Sequence, residues 1–485
     1  MRRAISILMA AALAACAGDP VTPPQVPTTA QYTSTPLAPQ TASADVRGGE
    51  AQRFASGADI PAQWWTLFRS PSLDSLVRQA LENSPTLVRA GARLRQAEED
   101  LSARSGTQLP QVDAKLSANR VDVKPKSLGV PALPVATPLN LYLASVGVSY
   151  TLDLFGSTRR ELDALRAETD YQRYELEAAR LMLAGNVVTA AIREAELRER
   201  VASTEEIIAL QTRQLAIIER LEQLGSTARV DVIAQRLELA QTRAGLPELQ
   251  RQLEQVRHRL AVYTGRPPGA ALPEFRLAEL SLPSELPLSL PSELARQRPD
   301  IRAAEALLIR AAARVGVATA NLYPQITLSA SVGSLASNGG DLFASGTGFY
   351  LLGASLTQPL FRGGELQARR RSAVAAYEQA GAAYQEVVLQ SFQNVADALR
   401  ALEADAQKLK ERAEAATLAR SYHDITSVRY DAGGVSYYVL LDAQRQLHRA
   451  RLEQTQAIAD RHADSAALLQ ALGGGWWTEQ GKPEK

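Results

Sequence analysis

The chain has 485 residues, 53 Lys and Arg against 52 Asp and Glu, and one cysteine, Cys16. The balanced charge removes any electrostatic case for a nucleic-acid partner, and a single thiol excludes a disulfide framework. Beyond the N-terminus no stretch reaches the ~18 apolar residues of a membrane helix, so a membrane crossing would fall to strands.

Arg2 and Arg3 precede an apolar run from Ala4 to about Leu13, followed by small residues. That run is too short to span a bilayer and reads as a cleaved signal peptide, residues 1–15. Leu13-Ala14-Ala15-Cys16 looks like a bacterial lipoprotein box, which predicts a covalent lipid on Cys16 as the new N-terminus. Ala17 follows in place of an aspartate, which by the same resemblance favours the outer membrane. Residues 16–60 are rich in Pro, Thr, Ala and Ser and predict an extended, lipid-anchored tether.

From there the chain is written twice. Pro85, Ala90, Leu94, Ala97, Pro110 and Gln111 return as Pro299, Ala304, Leu308, Ala311, Pro324 and Gln325. Farther on, Arg220, Gly225, Gln235 and Arg236 return as Arg429, Gly434, Gln444 and Arg445. The first repeat is residues 61–280, a linker covers 281–293, the second repeat is 294–475, and 476–485 are a flexible tail. A duplicated hairpin is a building block for assembly around an axis.

The first repeat opens with two alternating segments, about 111–121 and 141–152. In the second of them Tyr142, Ala144, Val146, Val148, Tyr150 and Leu152 alternate with Leu143, Ser145, Gly147, Ser149 and Thr151. Their counterparts are about 325–334 and 349–359. Each has the length of a tilted strand in a bilayer, and the intervening loops, about 122–140 and 334–348, are rich in Pro, Gly and Ser. Unpaired backbone in lipid costs several kcal/mol per group, and four strands are too few to close a barrel. Oligomerisation follows if these strands span. The competing reading is an ordinary half-buried sheet.

Ser157 to Leu224 contains no proline and one glycine, Gly185, and Glu365 to Ala432 contains none and only Gly381. Ala, Leu, Glu, Arg and Gln dominate both, which predicts helices of roughly 100 Å at ~1.5 Å per residue. Glycine turns at Gly225 and at Gly433-Gly434 return the chain, giving helical hairpins over 157–264 and 365–472. Ile207, Leu210, Ile217, Leu221 and Leu224 form one apolar stripe. Leu183, Val187, Ala190, Leu197, Val201, Ile208, Leu215 and Ile218 form a second, rotated one. Two seams mean two neighbours, in a ring of helices or in a two- or four-stranded coiled coil.

Several short segments carry a family resemblance: Arg298-Pro299-Asp300-Ile301 with Ala304-Glu305, Tyr323-Pro324-Gln325, Pro359-Leu360-Phe361, Arg429-Tyr430, Leu441-Asp442-Ala443-Gln444 and Leu472-Gly473-Gly474-Gly475-Trp476. In this order, after a lipoprotein box, they resemble the TolC superfamily of outer-membrane factors, the efflux lipoproteins of the nodulation-protein T type. The match runs from about Trp64 to Trp476. The resemblance implies a mainly α fold with a transmembrane β-barrel. Each chain supplies a duplicated strand pair and long helical hairpin, and a homotrimer forms a 12-stranded outer-membrane barrel and a periplasmic α-helical barrel.

It implies a passive export duct of a tripartite efflux pump for drugs or other small molecules. The partners would be a periplasmic adaptor and an inner-membrane pump of the resistance, nodulation and division type, with outer-membrane lipid around the barrel. Family gates use acidic side chains near the periplasmic tip, and Asp442 falls on the matching aspartate. Val439 stands where some members carry a second acid, and Val435 or Ser436 where others carry an aspartate. Asp231 and Asp431 are substitutes suggested by position, with Arg229 and Arg429 as basic partners. The turns Gly225, Gly433 and Gly434 are the implied adaptor-docking places.

Catalysis finds no support: GxSxG, P-loop and HExxH are absent, and His258, His423, His448 and His462 lack cysteine partners, so neither a metal site nor a cofactor is expected. A lipid-anchored periplasmic coiled-coil adaptor is the alternative. It shares the lipoprotein box and the hairpins but has no need of four membrane-length strands.

Overall fold

The computed structural model describes residue 29, residues 31–122 and residues 138–480. The signal peptide, Cys16, most of the loop at 122–140 and the last five residues of the tail lie outside these. The elements in chain order are β1 (Arg53–Ser56), α1 (Pro71–Asn83), α2 (Pro85–Gly106), β2 (Gln111–Val121), β3 (Leu139–Leu152), α3 (Ser157–Gln223), α4 (Arg229–Tyr263), β4 (Glu285–Leu288), α5 (Pro291–Gln297), α6 (Pro299–Ala320), β5 (Gln325–Ala336), β6 (Gly348–Thr357), α7 (Glu365–Asp431), α8 (Tyr437–Ala471) and α9 (Trp477–Gln480). Among the described residues no helix is long and apolar enough to cross a membrane.

The repeats match in length as well as in sequence. The helices α3 and α7 have 67 residues each, α4 and α8 have 35, and α2 and α6 have 22. Pro85 and Pro299 open α2 and α6, where a missing N–H costs nothing. Asp153 accepts from the backbone N–H groups of Thr158 and Arg159 and so starts α3. The helices α1, α2, α5 and α6 have no counterpart in the expected strand-and-hairpin plan. They run from 7 to 22 residues, far shorter than α3 and α7, and each opens on a proline, a signal weaker than the long periodic runs.

The chain forms two compact units. Unit 1 (residues 94–172 and 304–384 of the described chain) holds β2, β3, β5 and β6 in one antiparallel sheet, in the order β2-β3-β5-β6. The register keeps the alternation of all four strands in phase. Val112 faces Val148, Val146 faces Val332, and Val332 faces Tyr350. One face is therefore a continuous apolar surface, and the other carries Ser145, Gly147, Ser149, Ser329, Ser331 and Ser355. β5 runs two residues beyond 334, and β6 stops at Thr357 before Pro359, which has no N–H for a ladder. Below the sheet Arg104 pairs with Glu161 and Arg310 with Glu168, and Leu308, Val315 and Tyr377 form a small core.

Unit 2 (residues 31–93, 173–303 and 385–480) carries the main core, with Ile60, Trp64, Phe68, Leu73, Val187, Val188, Ile192, Leu197, Val395, Leu399, Leu402, Leu468 and Leu472 buried together. Here the expected tether and linker are corrected. Residues 31–60 are packed within unit 2, and β1 pairs in parallel with β4, so the segments read as an extended tether and a linker form one two-stranded sheet. Their order comes from partners more than 200 residues away, such as the Tyr32 hydroxyl donating to the Ser289 carbonyl, and not from local periodicity.

The flexible tail is corrected over 476–480. Trp476 donates its indole N–H to the Gln297 carbonyl at 2.7 Å and packs edge-on against Tyr174. The glycine run before it, Gly473 to Gly475, has φ of 95°, 67° and 71°, and a Cβ on Gly474 would lie 2.3 Å from Leu181. Arg298 of the Arg-Pro-Asp segment holds Asp300 at 2.6 Å and caps the end of α8 through the Ala471 carbonyl at 2.8 Å.

Candidate functional site

The two turns that close the long hairpins share one backbone plan. Gly225 (φ 72°) donates to Glu222, and Ser226 donates to Leu221. Gly433 (φ 73°) donates to Tyr430, and Gly434 donates to Arg429. Both are left-handed helix ends that need a glycine at their first position. The structural partner of Gly225 is therefore Gly433, one residue before the sequence match with Gly434. Gly434 stands where the first repeat has Ser226 and is not required to be glycine by its φ.

Behind the turns Ile218, Val232, Tyr437 and Leu440 are buried with Leu215 and Tyr430 at their edge. Tyr437, the first residue of α8, stacks edge-on with Tyr430 at 5.6 Å. Its hydroxyl donates to the Gln235 side-chain oxygen on α4, and the Gln235 amide donates in turn to the Gln211 carbonyl on α3 at 3.1 Å. Farther along α8, the adjacent Gln444 and Arg445 donate to Gln214 at 2.8 Å and to Glu238 at 2.5 Å. Four polar links thus join the second hairpin to the first, or extend that junction, close to the turns.

Burial, with the charges of Asp231 and Glu238 nearby, raises the Tyr437 hydroxyl well above the usual tyrosine range. It stays a neutral donor across physiological pH. Burial likewise pushes His448, beside Glu238 and Arg451, below the usual histidine range.

The expected site residues are distributed around this junction. Asp442 is half-buried on α8 and has no hydrogen bond or ion pair among the described residues. Asp231 accepts from the Thr227 hydroxyl at 2.9 Å in the first turn of α4. Asp431 and the side chains of Arg229 and Arg429 are exposed, and within one chain neither arginine pairs with Asp442, Asp231 or Asp431. Tyr437, Gln235, Glu238 and Gln214 were not singled out by sequence reasoning. The only trace of them was the repeat match of Gln235 and Arg236 with Gln444 and Arg445.

The second apolar stripe of α3 is covered within the chain, with Val187 and Leu197 fully buried and Ile218 at 2% exposure. The first stripe is not: Leu210, Ile217 and Leu224 are 51%, 61% and 62% exposed.

The outer membrane efflux protein family model matches residues 76–266 and 290–474. The pyoverdine export outer membrane protein OpmQ of Pseudomonas putida is 31% identical over 91% of this chain and 94% of its own. The toluene efflux pump outer membrane protein TtgI, from another strain of Pseudomonas putida, is 28% identical over 93% and 95%. The solved outer-membrane channel OprN superposes with a TM-score of 0.80 at 28% identity, over 93% of this chain and 99% of that one. The chain belongs to the outer membrane efflux protein family, the channel proteins through which efflux pumps empty across the outer membrane.

Proposed function

We propose that this chain is the passive outer-membrane duct of a tripartite efflux pump, working as a homotrimer and conducting small molecules without catalysing a reaction. One observation carries the reading. The four-stranded sheet presents a continuous apolar face on strands of 10 to 14 residues, and β2 and β6 leave both of its edges open. In lipid an open edge is costly, so the edges pair with those of other copies, and three copies give twelve strands. The exposed stripe Leu210, Ile217 and Leu224 supports the same assembly, since each hairpin then covers the bare stripe of its neighbour.

The pump end of the duct is the pair of glycine turns. There the Tyr437–Gln235 and Arg445–Glu238 links hold the hairpins together, and Asp442, without a partner in its own chain, faces other copies as the gate residue. Asp231 and Asp431 are the secondary acids. A periplasmic adaptor docking beside Gly225, Gly433 and Gly434 would loosen these links, and an inner-membrane pump of the resistance, nodulation and division type would supply the energy. A lipid on Cys16 adds a second hold on the outer membrane. The relatives' cargoes, pyoverdine and toluene by their names, support a duct whose selectivity resides in the pump.

The test is single-channel conductance in planar bilayers. Asp442→Ala and Tyr437→Phe are both expected to raise the fraction of time spent open. Unchanged gating in both variants would place the closure elsewhere.

A further inference from the structure

Arg461 on α8 is 0% exposed, yet among the described residues no carboxylate lies within ion-pair reach of it. Its guanidinium donates to the Gly48 carbonyl at 3.1 Å, the Thr41 hydroxyl at 2.9 Å and the Glu50 carbonyl at 2.6 Å, with the Ala42 carbonyl at 3.5 Å. Each of these oxygens belongs to the N-terminal strap, residues 31–60. The oxygens that bond the cation are all uncharged and come from one segment only, and the Glu50 carboxylate of the same segment, outside ion-pair reach, also favours its charge.

The strap is shaped around this cation. Thr41 donates its N–H to the Gln52 carbonyl at 2.9 Å, and its hydroxyl accepts from the Gln52 N–H at 3.0 Å, which closes residues 41–52 into a loop. Inside the loop a Cβ on Gly49 would lie 2.4 Å from the Ala44 carbonyl. Gly48 has φ 75° and sits against His462, where a Cβ would lie 3.0 Å from the ring. His462 is itself buried, and that burial pushes its imidazole below the usual histidine range. Gln52, fully buried, ties the loop down through the Pro283 carbonyl and the Ser465 hydroxyl, both at 2.9 Å.

A buried guanidinium that loses all its acceptors is among the costliest defects a core can hold. Release of the strap strips the guanidinium of every one of these acceptors at once and uncovers the face of α8 that the strap closes. We propose that the strap is a clasp with Arg461 as its buckle, so that docking of residues 41–52 and closure of the unit 2 core are one event. This is a conformational device separate from conduction. It makes the integrity of the helical core depend on the position of the N-terminal segment.

Limited trypsin digestion of the full chain in mild detergent tests it, because Arg47 and Arg53 are exposed side chains on the strap. In the wild type both sites are expected to resist cleavage. Arg461→Met removes the buckle and the buried charge together, so cleavage at Arg47 should quicken at least about tenfold while the rest of unit 2 stays resistant. Gly49→Val, which prevents the loop from closing, should expose the strap and also lower the thermal midpoint. The double variant should be more stable than Gly49→Val alone, since no cation is then orphaned. Equal protection of Arg47 in the wild type and Arg461→Met would overturn the proposal even if Gly49→Val failed to fold. A double variant that loses the sum of the single effects would overturn it as well.

Discussion

Phe68 and Val146 are both apolar, yet the first is 0% exposed and the second 46%. Around Phe68 the chain finishes its own core, with strap, helices and the glycine-rich C-terminal segment closing over one another. Around Val146 it does not, since the same alternation that makes a well-registered sheet leaves a whole apolar face and two strand edges bare. One region is complete as a single chain, and the other has its solvent and its neighbours still to come. In a protein that meets lipid, exposed apolar area marks where the environment belongs and is no defect.

Three changes sharpen this contrast. Phe68→Ala should cost about 3–5 kcal/mol as a cavity in a closed core, read as loss of helical signal at lower temperature by circular dichroism. Val146→Arg should cost ~2–4 kcal/mol at mid-bilayer and reduce the protein recovered from outer membranes. Ser145→Arg, one residue away on the polar face, should be recovered normally. Equal loss for both would mean the sheet does not have a lipid side.

At the turns, Gly433→Val should cost ~1–2 kcal/mol because a β-branched residue resists the left-handed backbone. Gly434→Ser should be near neutral, as Ser226 already fills that place in the first repeat. A thermal melt of both variants separates the structural match of the repeats from the sequence match.

The smallest effect is one of pH. Burial first, then the hydrogen bond and charge of Asp405 and the charge of Asp460, pushes the Asp464 carboxyl up to about 7, against the pull of Lys408. Between the ordinary aspartate value of 3.8 and about 7, the folded chain keeps a proton that the unfolded chain has lost. This contribution is therefore full at low pH and declines as pH rises through that window. Asp464→Asn should flatten the decline and raise the melting temperature by a few degrees near pH 8, with little change near pH 4.

The sequence showed most of what repeats or alternates. Period two placed four strands, and long glycine-poor runs placed α3 and α7 with the turns that end them. It did not show β1 and β4, because Arg53–Ser56 and Glu285–Leu288 carry no pattern of their own and are ordered only by each other. Nor did it show the Tyr437–Gln235 contact, whose partners are 202 residues apart and are chosen by how two hairpins pack. Asp442 was legible as a motif residue, but motif position could not reveal that it has no partner within its own chain. Arg461 was invisible for the opposite reason, since a lone arginine on a polar helix looks like a surface residue until its cage is seen.

The most direct measurement is the native mass of the protein extracted from outer membranes in mild detergent, with bound detergent subtracted. Three chains are expected if the open edges of β2 and β6 close a twelve-stranded barrel. A stable monomer, or release from the membrane on removing the lipid alone, would contradict that account and favour a lipid-anchored adaptor instead.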